Sequence, residues 1–203
     1  PYAPVSPAYS LVATDFSKLR HIVGTVTPGV VYAADGRNFA LAIAGAVDTA
    51  TEVVLGKGEL PNRKYATFAE LLATVPVNVD AAHASVGPDT IAKFLFTSGS
   101  TKLPKAVVTT QRMLCSNQQM LLQTFPVFAE EPPVLVDWLP WNHTFGGSHN
   151  VGIALYNGGS FYIDEGQPTP KHFEKTLRNL REISPTVYFN VPKAWEDLTA
   201  NLE

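Results

Sequence analysis

The sequence predicts an α/β fold with a layered, mostly parallel sheet flanked by helices, and three observations carry that prediction. Short apolar runs rich in β-branched residues alternate with longer stretches of helical spacing along the whole chain, the order that builds α/β layers. The runs are near-continuous and do not alternate in and out, which is how strands buried on both faces of a parallel sheet read. Of the 203 residues, 45% are hydrophobic and only 16% charged, below the usual ~25%. That composition suits a packed domain and excludes a disordered tail.

Taken in order, residues 1–10, PYAPVSPAYS, read as a loop. Asp15 is placed to cap a helix over Phe16–Val26. A strand at Gly29–Ala33 precedes a helix at Gly36–Val47, where Phe39, Ala40, Ile43, Ala44 and Val47 share one face. Val53–Leu55 is a strand, Thr67–Thr74 a helix, and Val75–Pro88 a connection. Strands at Ile91–Phe96 and Ala106–Thr109 bracket a polar loop, and Gln111–Phe125 is helical. The rest alternates: strand Val134–Leu139, helix Phe145–Tyr156, strand Ser160–Ile163, helix Pro170–Ile183, strand Val187–Asn190 and helix Pro192–Leu202. Asn157-Gly158-Gly159 ends one helix, since glycine tolerates the left-handed conformation found there. Thr169-Pro170 opens another, with a capping hydroxyl and then a proline whose missing N–H costs nothing. With no internal repeat in view, one α/β domain is expected over residues 1–203.

Fifteen Lys plus Arg against 18 Asp plus Glu give a net charge of −3, without a basic cluster. Neither nucleic acid nor an anionic membrane is therefore the expected partner. No apolar run approaches the roughly 18 residues of a membrane span. The single cysteine, Cys115, forms no internal disulfide and suits a reducing, cytoplasmic setting. Inside a predicted helix it reads as a small buried hydrophobe. Trp138, Trp141, Phe145 and Tyr156 are expected mostly in the core. Pro1 is not an initiator Met, and Asn201-Leu202-Glu203 falls inside a predicted helix, so the chain is expected to be a piece of a longer protein.

The segment Phe96–Val107, FTSGSTKLPKAV, carries the chemistry. Thr97, Ser98, Ser100 and Thr101 surround Gly99, and Pro104-Lys105 closes the loop. Four hydroxyls, free backbone N–H groups and a lysine suit phosphate oxygens. Gly99 permits close backbone approach, Pro104 stiffens the far limb, and lysine supplies a mobile point charge. The loop is not a Walker loop, because proline stands where that pattern needs its second glycine. Composition alone leaves a plain polar turn with a surface lysine equally open.

The second segment is Asp137–Gly147, DWLPWNHTFGG, which leaves a strand and enters a helix. His143 taken alone reads as a helix-capping or buried histidine. Phe145 and His149, four apart, fall on one helix face. His143 and His149 stand six apart with no Cys or carboxylate set beside them, so no protein-bound metal is expected.

Thr97–Thr101 followed by Pro104-Lys105 resembles the signature loop of the adenylate-forming superfamily, which includes acyl- and aryl-CoA synthetases, peptide-synthetase adenylation domains and firefly luciferase. The Leu-Pro-x-x-His of LPWNH is similar to the superfamily segment that opens the acid-binding helix. The loop departs from the usual pattern at Lys102 and Ala106, both commonly glycine. Within the superfamily, FLFTSGST, LPKAV, TTQRMLCSNQQM and LPWNHTFGGSHNVG look most like feruloyl-CoA synthetases.

The resemblance implies a central part of the large N-terminal domain, without the C-terminal domain. It implies ATP, with Mg2+ held by ATP and by residues outside this chain, CoA as co-substrate, and a small carboxylic acid of the hydroxycinnamate class such as ferulate. It places Thr97, Ser98, Gly99, Ser100, Thr101 and Lys105 on the ATP phosphates. It makes Lys105 and His143 catalytic, and it puts His143, Phe145 and His149 in the acid pocket. The superfamily's Tyr-Gly-x-Thr-Glu segment and catalytic lysine belong beyond residue 203, so this piece alone is not expected to turn over. The competing expectations are a ligase for a medium-chain or benzoate-type acid and a non-catalytic nucleotide- or acyl-binding module.

Overall fold

The computed structural model describes residues 1–97, 103–166 and 172–200. The chain divides into two compact units, Pro1–Val108 and Thr109–Glu203.

The first unit holds α1 (Ala8–Leu11), α2 (Ser17–Val26), β1 (Val30–Ala33), α3 (Gly36–Ala46), β2 (Glu52–Leu55), β3 (Ala66–Thr67), α4 (Phe68–Leu72), α5 (Val79–Ala84) and β4 (Ile91–Thr97). β1, β2 and β3 pair in parallel, with Val31 opposite Val53, Ala33 opposite Leu55 and Leu55 opposite Thr67. Ala33, Ile43, Val47, Val53, Leu55 and Leu60 form the core, and Val23 and Phe39 pack onto it from the two long helices. Asp35 caps α3 by accepting the N–H groups of Arg37 and Asn38 at 3.0 and 3.4 Å. Thr67 and Glu70 form a reciprocal capping box on α4. The Thr67 donors hold the Glu70 carboxyl below its ordinary range. Asp15 accepts the Ser17 N–H at 3.1 Å but is not the N-cap as expected; that position falls on Phe16, at φ 52°, which makes no side-chain capping bond, so the helix starts one residue later.

β5 (Lys105–Thr110) pairs with β4 as a two-stranded sheet. The second unit then holds α6 (Gln111–Thr124), α7 (Val127–Glu130), β6 (Val134–Asp137), a π-helix (Phe145–Asn150) running into α8 (Val151–Tyr156), β7 (Ser160–Ile163), α9 (Phe173–Ile183) and α10 (Pro192–Ala200). β6 and β7 are parallel, Val134 facing Ser160 and Asp137 facing Ile163. Phe128, Leu135, Ile153 and Ala154 form the core, with Leu121, Leu122, Phe161, Val187 and Phe189 against it. Gly158, at φ +65°, ends α8 as predicted.

The α/β class and the parallel pairing are as expected, but among the described residues the strands fall into three small sheets. Burial on both faces holds along most of β2 and β6 only; β1, β5 and β7 keep exposed residues. Three expected irregular stretches contain helices. Ala8–Leu11 turns within the N-terminal loop, Val127–Glu130 follows Pro126, and Val79–Ala84 is started by Asn78, which accepts the Ala81 N–H at 3.0 Å. Val187–Asn190 is not a strand. The N–H groups of Thr186 and Val187 reach the Val134 carbonyl, and then the Asn190 side chain turns inward, donating to the Tyr188 hydroxyl and accepting the Val191 N–H. α9 starts at Phe173, and Thr169-Pro170 lies outside the described residues. Cys115 is exposed, because α6 turns Leu114, Gln118 and Leu121 inward instead. Trp141 and Tyr156 are also exposed; Trp141 meets Phe161 edge-on, and the Tyr156 hydroxyl donates to Gln119.

Candidate active site

In the first unit, Thr97 ends β4 with its side chain exposed, and Lys105 opens β5, also exposed. Ser98, Gly99, Ser100 and Thr101 lie outside the described residues. The far limb is anchored at Pro104, which is fully buried and whose carbonyl accepts a hydrogen bond from His21 Nε2 at 2.9 Å. Four residues before Thr97, Lys93 is buried at 2% exposure, and desolvation lowers its pKa. Its ammonium lies 5.9 Å from the Tyr2 ring centroid, and Tyr2 pairs with it as an added parallel bridge.

In the second unit, the π-helix organises the remaining candidates. It is built on Gly146 and Gly147, both buried. A Cβ on Gly146 would stand 2.7 Å from the Leu139 carbonyl oxygen, and one on Gly147 would strike the Trp141 carbonyl. Glycine is therefore needed for close approach to the incoming chain. π-Helical turns widen the backbone and recur at functional sites. His143 stands before this turn and caps it, accepting the Phe145 N–H on Nδ1 at 3.2 Å. The ring is exposed, so the capping reading holds and burial does not.

Phe145 and His149 do share a face, their rings edge-on with centroids 5.2 Å apart, and Phe189 closes the other side at 4.9 Å. His149 Nδ1 lies 2.8 Å from Asn150 Oδ1. Beneath them, Asp137 is 4% exposed; Oδ1 accepts the Leu139 N–H at 3.1 Å, and Oδ2 has no partner at ordinary distance. Burial pushes its carboxyl up, opposed by the Leu139 N–H and the Asn150 side chain. Asp164, also buried, accepts from Gly166 N–H, Thr176 Oγ1 and Asn179 Nδ2 at 2.7–2.8 Å. Burial, opposed in part by the Asn190 hydrogen bond, pushes the Tyr188 phenol up to about 12.

Sequence reasoning passed over Asp137, Asn150, Gln118, Tyr188 and Phe189. Gln118 had a readable signal, being a polar residue at an inward register of α6, where its amide donates to the Ser148 carbonyl at 3.2 Å. Among the described residues, no group of three or more His, Cys, Asp or Glu side chains stands together as a metal site. Nor, among the described residues, is any helix long and apolar enough to cross a membrane.

The α/β fold is that of the N-terminal domains of adenylate-forming enzymes. The family model described as AMP-binding enzyme matches residues 1–203, and the chain belongs to that family. A luciferase-like enzyme from Zophobas morio superposes with a TM-score of 0.68 at 20% identity, over 98% of this chain and 43% of its own. ATP-bound MatB from Rhodopseudomonas palustris does so with a TM-score of 0.66 at 24% identity, over 97% and 35%. Among curated relatives, a medium-chain-fatty-acid–[acyl-carrier-protein] ligase of Teredinibacter turnerae is 40% identical over 74 residues, 36% of this chain and 11% of its own. A carboxylic acid reductase of Mycobacterium marinum is 28% identical over 156 residues, 74% of this chain and 12% of its own. The chain thus spans a minor part of each relative's length.

Proposed function

We propose that the intact protein is an ATP-dependent ligase that joins a carboxylic acid to AMP and then passes the acyl group to CoA. The observation that carries this reading is the family match across the whole chain. The carboxylate oxygen attacks the α-phosphorus and the α–β bridge bond breaks, releasing pyrophosphate. The CoA thiol then attacks the acyl carbon, loses its proton and displaces AMP. Two anions meet in the first step, so their repulsion has to be offset by donors and positive charge. Thr97, Ser98, Gly99, Ser100, Thr101 and Lys105 are assigned to the departing phosphates. His143, Phe145 and His149 are assigned to the acid pocket, with His143 beside the acyl carbon in the second step.

An aromatic acid of the hydroxycinnamate class is the preferred substrate, supported by the aromatic surroundings of His149, edge-on between Phe145 and Phe189. A second reading, a medium- or long-chain fatty acid, is favoured by the relatives that carry those names. Carboxylate-dependent ATP–pyrophosphate exchange by the intact protein, with ferulate, p-coumarate, benzoate and octanoate, tests both. Exchange strongest with ferulate or p-coumarate is expected. Exchange strongest with octanoate keeps the chemistry and replaces the acid. No exchange with any of the four overturns the aromatic and medium-chain readings, and palmitate then separates a long-chain ligase from a binding module.

A further inference from the structure

α6 buries Gln118, at 4% exposure, more deeply than any of its apolar residues. A buried amide is costly unless it is hydrogen-bonded. Here Nε2 donates to the Ser148 carbonyl at 3.2 Å and to the His149 carbonyl at 3.4 Å. A backbone carbonyl only accepts, so the NH2 end of the amide must be the end that faces them. Asn117 Oδ1, also 3.4 Å from Nε2, agrees with that orientation. The oxygen end is buried without a hydrogen-bond partner among the described residues, so the contacts at Nε2 are what hold the side chain. Ser148 and His149 both belong to the π-helix Phe145–Asn150. Gln118 reaches them through a gap at Gly152, where a Cβ would strike the amide nitrogen and stand 2.8 Å from Cδ. Gly146 and Gly147 meanwhile lie against the Leu139 and Trp141 carbonyls, so both the incoming chain and α6 hold the π-turn.

We propose that Gln118 is a positioning residue for acid binding: its amide clamps the π-turn and thereby fixes the face that Phe145 and His149 present. Helical residues are spaced about 100° apart. A turn that gained or lost one residue would therefore carry the His149 ring out of its place edge-on to Phe145 and Phe189. The inference rests on the assignment of Phe145 and His149 to the acid pocket.

The test is NMR of the intact protein, prepared with protonated His and Phe in a deuterated background. It reads the cross-peaks between the His149 and Phe189 rings, assigned with His149→Gln. Gln118→Met keeps an unbranched side chain in the same space and removes both donors. Its folded form is expected to lose those cross-peaks and to leave the KM for ATP unchanged. Its KM for the acid is expected to rise about tenfold, the scale of one to two net hydrogen bonds. A merely structural loss would lower kcat through the folded fraction and leave both KM values in place, so that pattern counts against the proposal. Cross-peaks that persist in folded Gln118→Met overturn it. Should that variant fail to fold, Gly152→Ala serves instead. Its methyl drives the flexible amide out of the gap while alanine favours the helix, and wild-type cross-peaks there are equally fatal. Acid KM reads the pocket assignment separately: cross-peaks lost with acid KM unchanged leave the clamp and overturn its part in acid binding. A wild type without exchange overturns the ligase reading and with it the role in acid binding, while the cross-peaks still decide the clamp.

Discussion

His143 accepts the Phe145 backbone N–H on Nδ1 at 3.2 Å, so the proposed catalytic ring is also the first cap of the π-helix. The two roles separate by substitution. His143→Ala removes both, and acid-dependent pyrophosphate exchange by the intact protein should fall about 10^2-fold, the scale of a misplaced reacting group. His143→Asn keeps an oxygen that can accept the same N–H, so it should hold the wild-type melting temperature and still lose exchange. Wild-type exchange in the asparagine variant would reduce His143 to a cap.

Gly147 and Gly24 should respond to the same substitution with opposite signs. A Cβ on Gly147 meets the Trp141 carbonyl, which is backbone and cannot give way cheaply. Gly147→Ala should cost about 2–3 kcal/mol, the upper range for overpacking. Gly24 is an exposed residue of α2 with nothing within 4 Å of such a Cβ. Gly24→Ala should therefore gain about 0.5–1 kcal/mol, mainly by restricting the unfolded chain. Urea unfolding of the two variants checks both signs.

The contrast between these glycines also shows what the sequence made legible. Gly158 followed from local chemistry alone, as did the helix over Gly36–Ala46, because each depends on neighbours a few residues away. The π-turn did not, since FGGSHNVGIALY has the same apolar spacing whether the first turn is α or π. What widens it is the approach of Leu139 and Trp141. Val187–Asn190 misled for a related reason. Its apolar run is half-buried, Val187 and Phe189 packing against the core, with two N–H groups of Thr186 and Val187 reaching Val134. His143, Phe145 and His149 were found by motif. Asp137 and Asn150 were not, although both lie in or beside the same segment, because a polar residue at a strand or helix end signals nothing until its burial is known.

Asp137 links the site to stability through pH. Burial raises its folded pKa above the free aspartate value of 3.8, with Asp164 adding to the same direction and the Leu139 donor opposing it. A raised acid binds its proton more tightly in the folded chain than in the unfolded one. Its contribution is thus fully present below 3.8 and is lost as pH rises through the folded value. Asp137→Asn removes this dependence. The stability of wild type relative to the variant should decline as pH rises from about 3.8 toward neutrality. Urea titrations of both proteins at a series of pH values read the difference, and a flat difference would mean that the carboxyl titrates alike in both states.

Lys105 is proposed to follow the phosphate oxygens. Its neighbour Pro104 is buried and tied through its carbonyl to His21 Nε2 at 2.9 Å, while the Lys105 side chain itself is exposed. The backbone is thus anchored and the ammonium keeps the freedom of its four-carbon stem, which suits a charge that shifts between oxygens during bond cleavage. Lys105→Ala should lower pyrophosphate exchange by about 10^2-fold or raise the KM for ATP, the scale seen when a preorganised stabilising group is lost. The KM for the acid should stay unchanged. Lys105→Arg, which keeps the charge but not its geometry, should fall between the two. His21→Ala should reproduce part of the loss by loosening the anchor, without altering net charge when the imidazole is neutral. Unchanged exchange in Lys105→Ala would remove the residue from the site, whereas loss in Lys105→Ala with none in His21→Ala would leave the charge essential and the anchor dispensable.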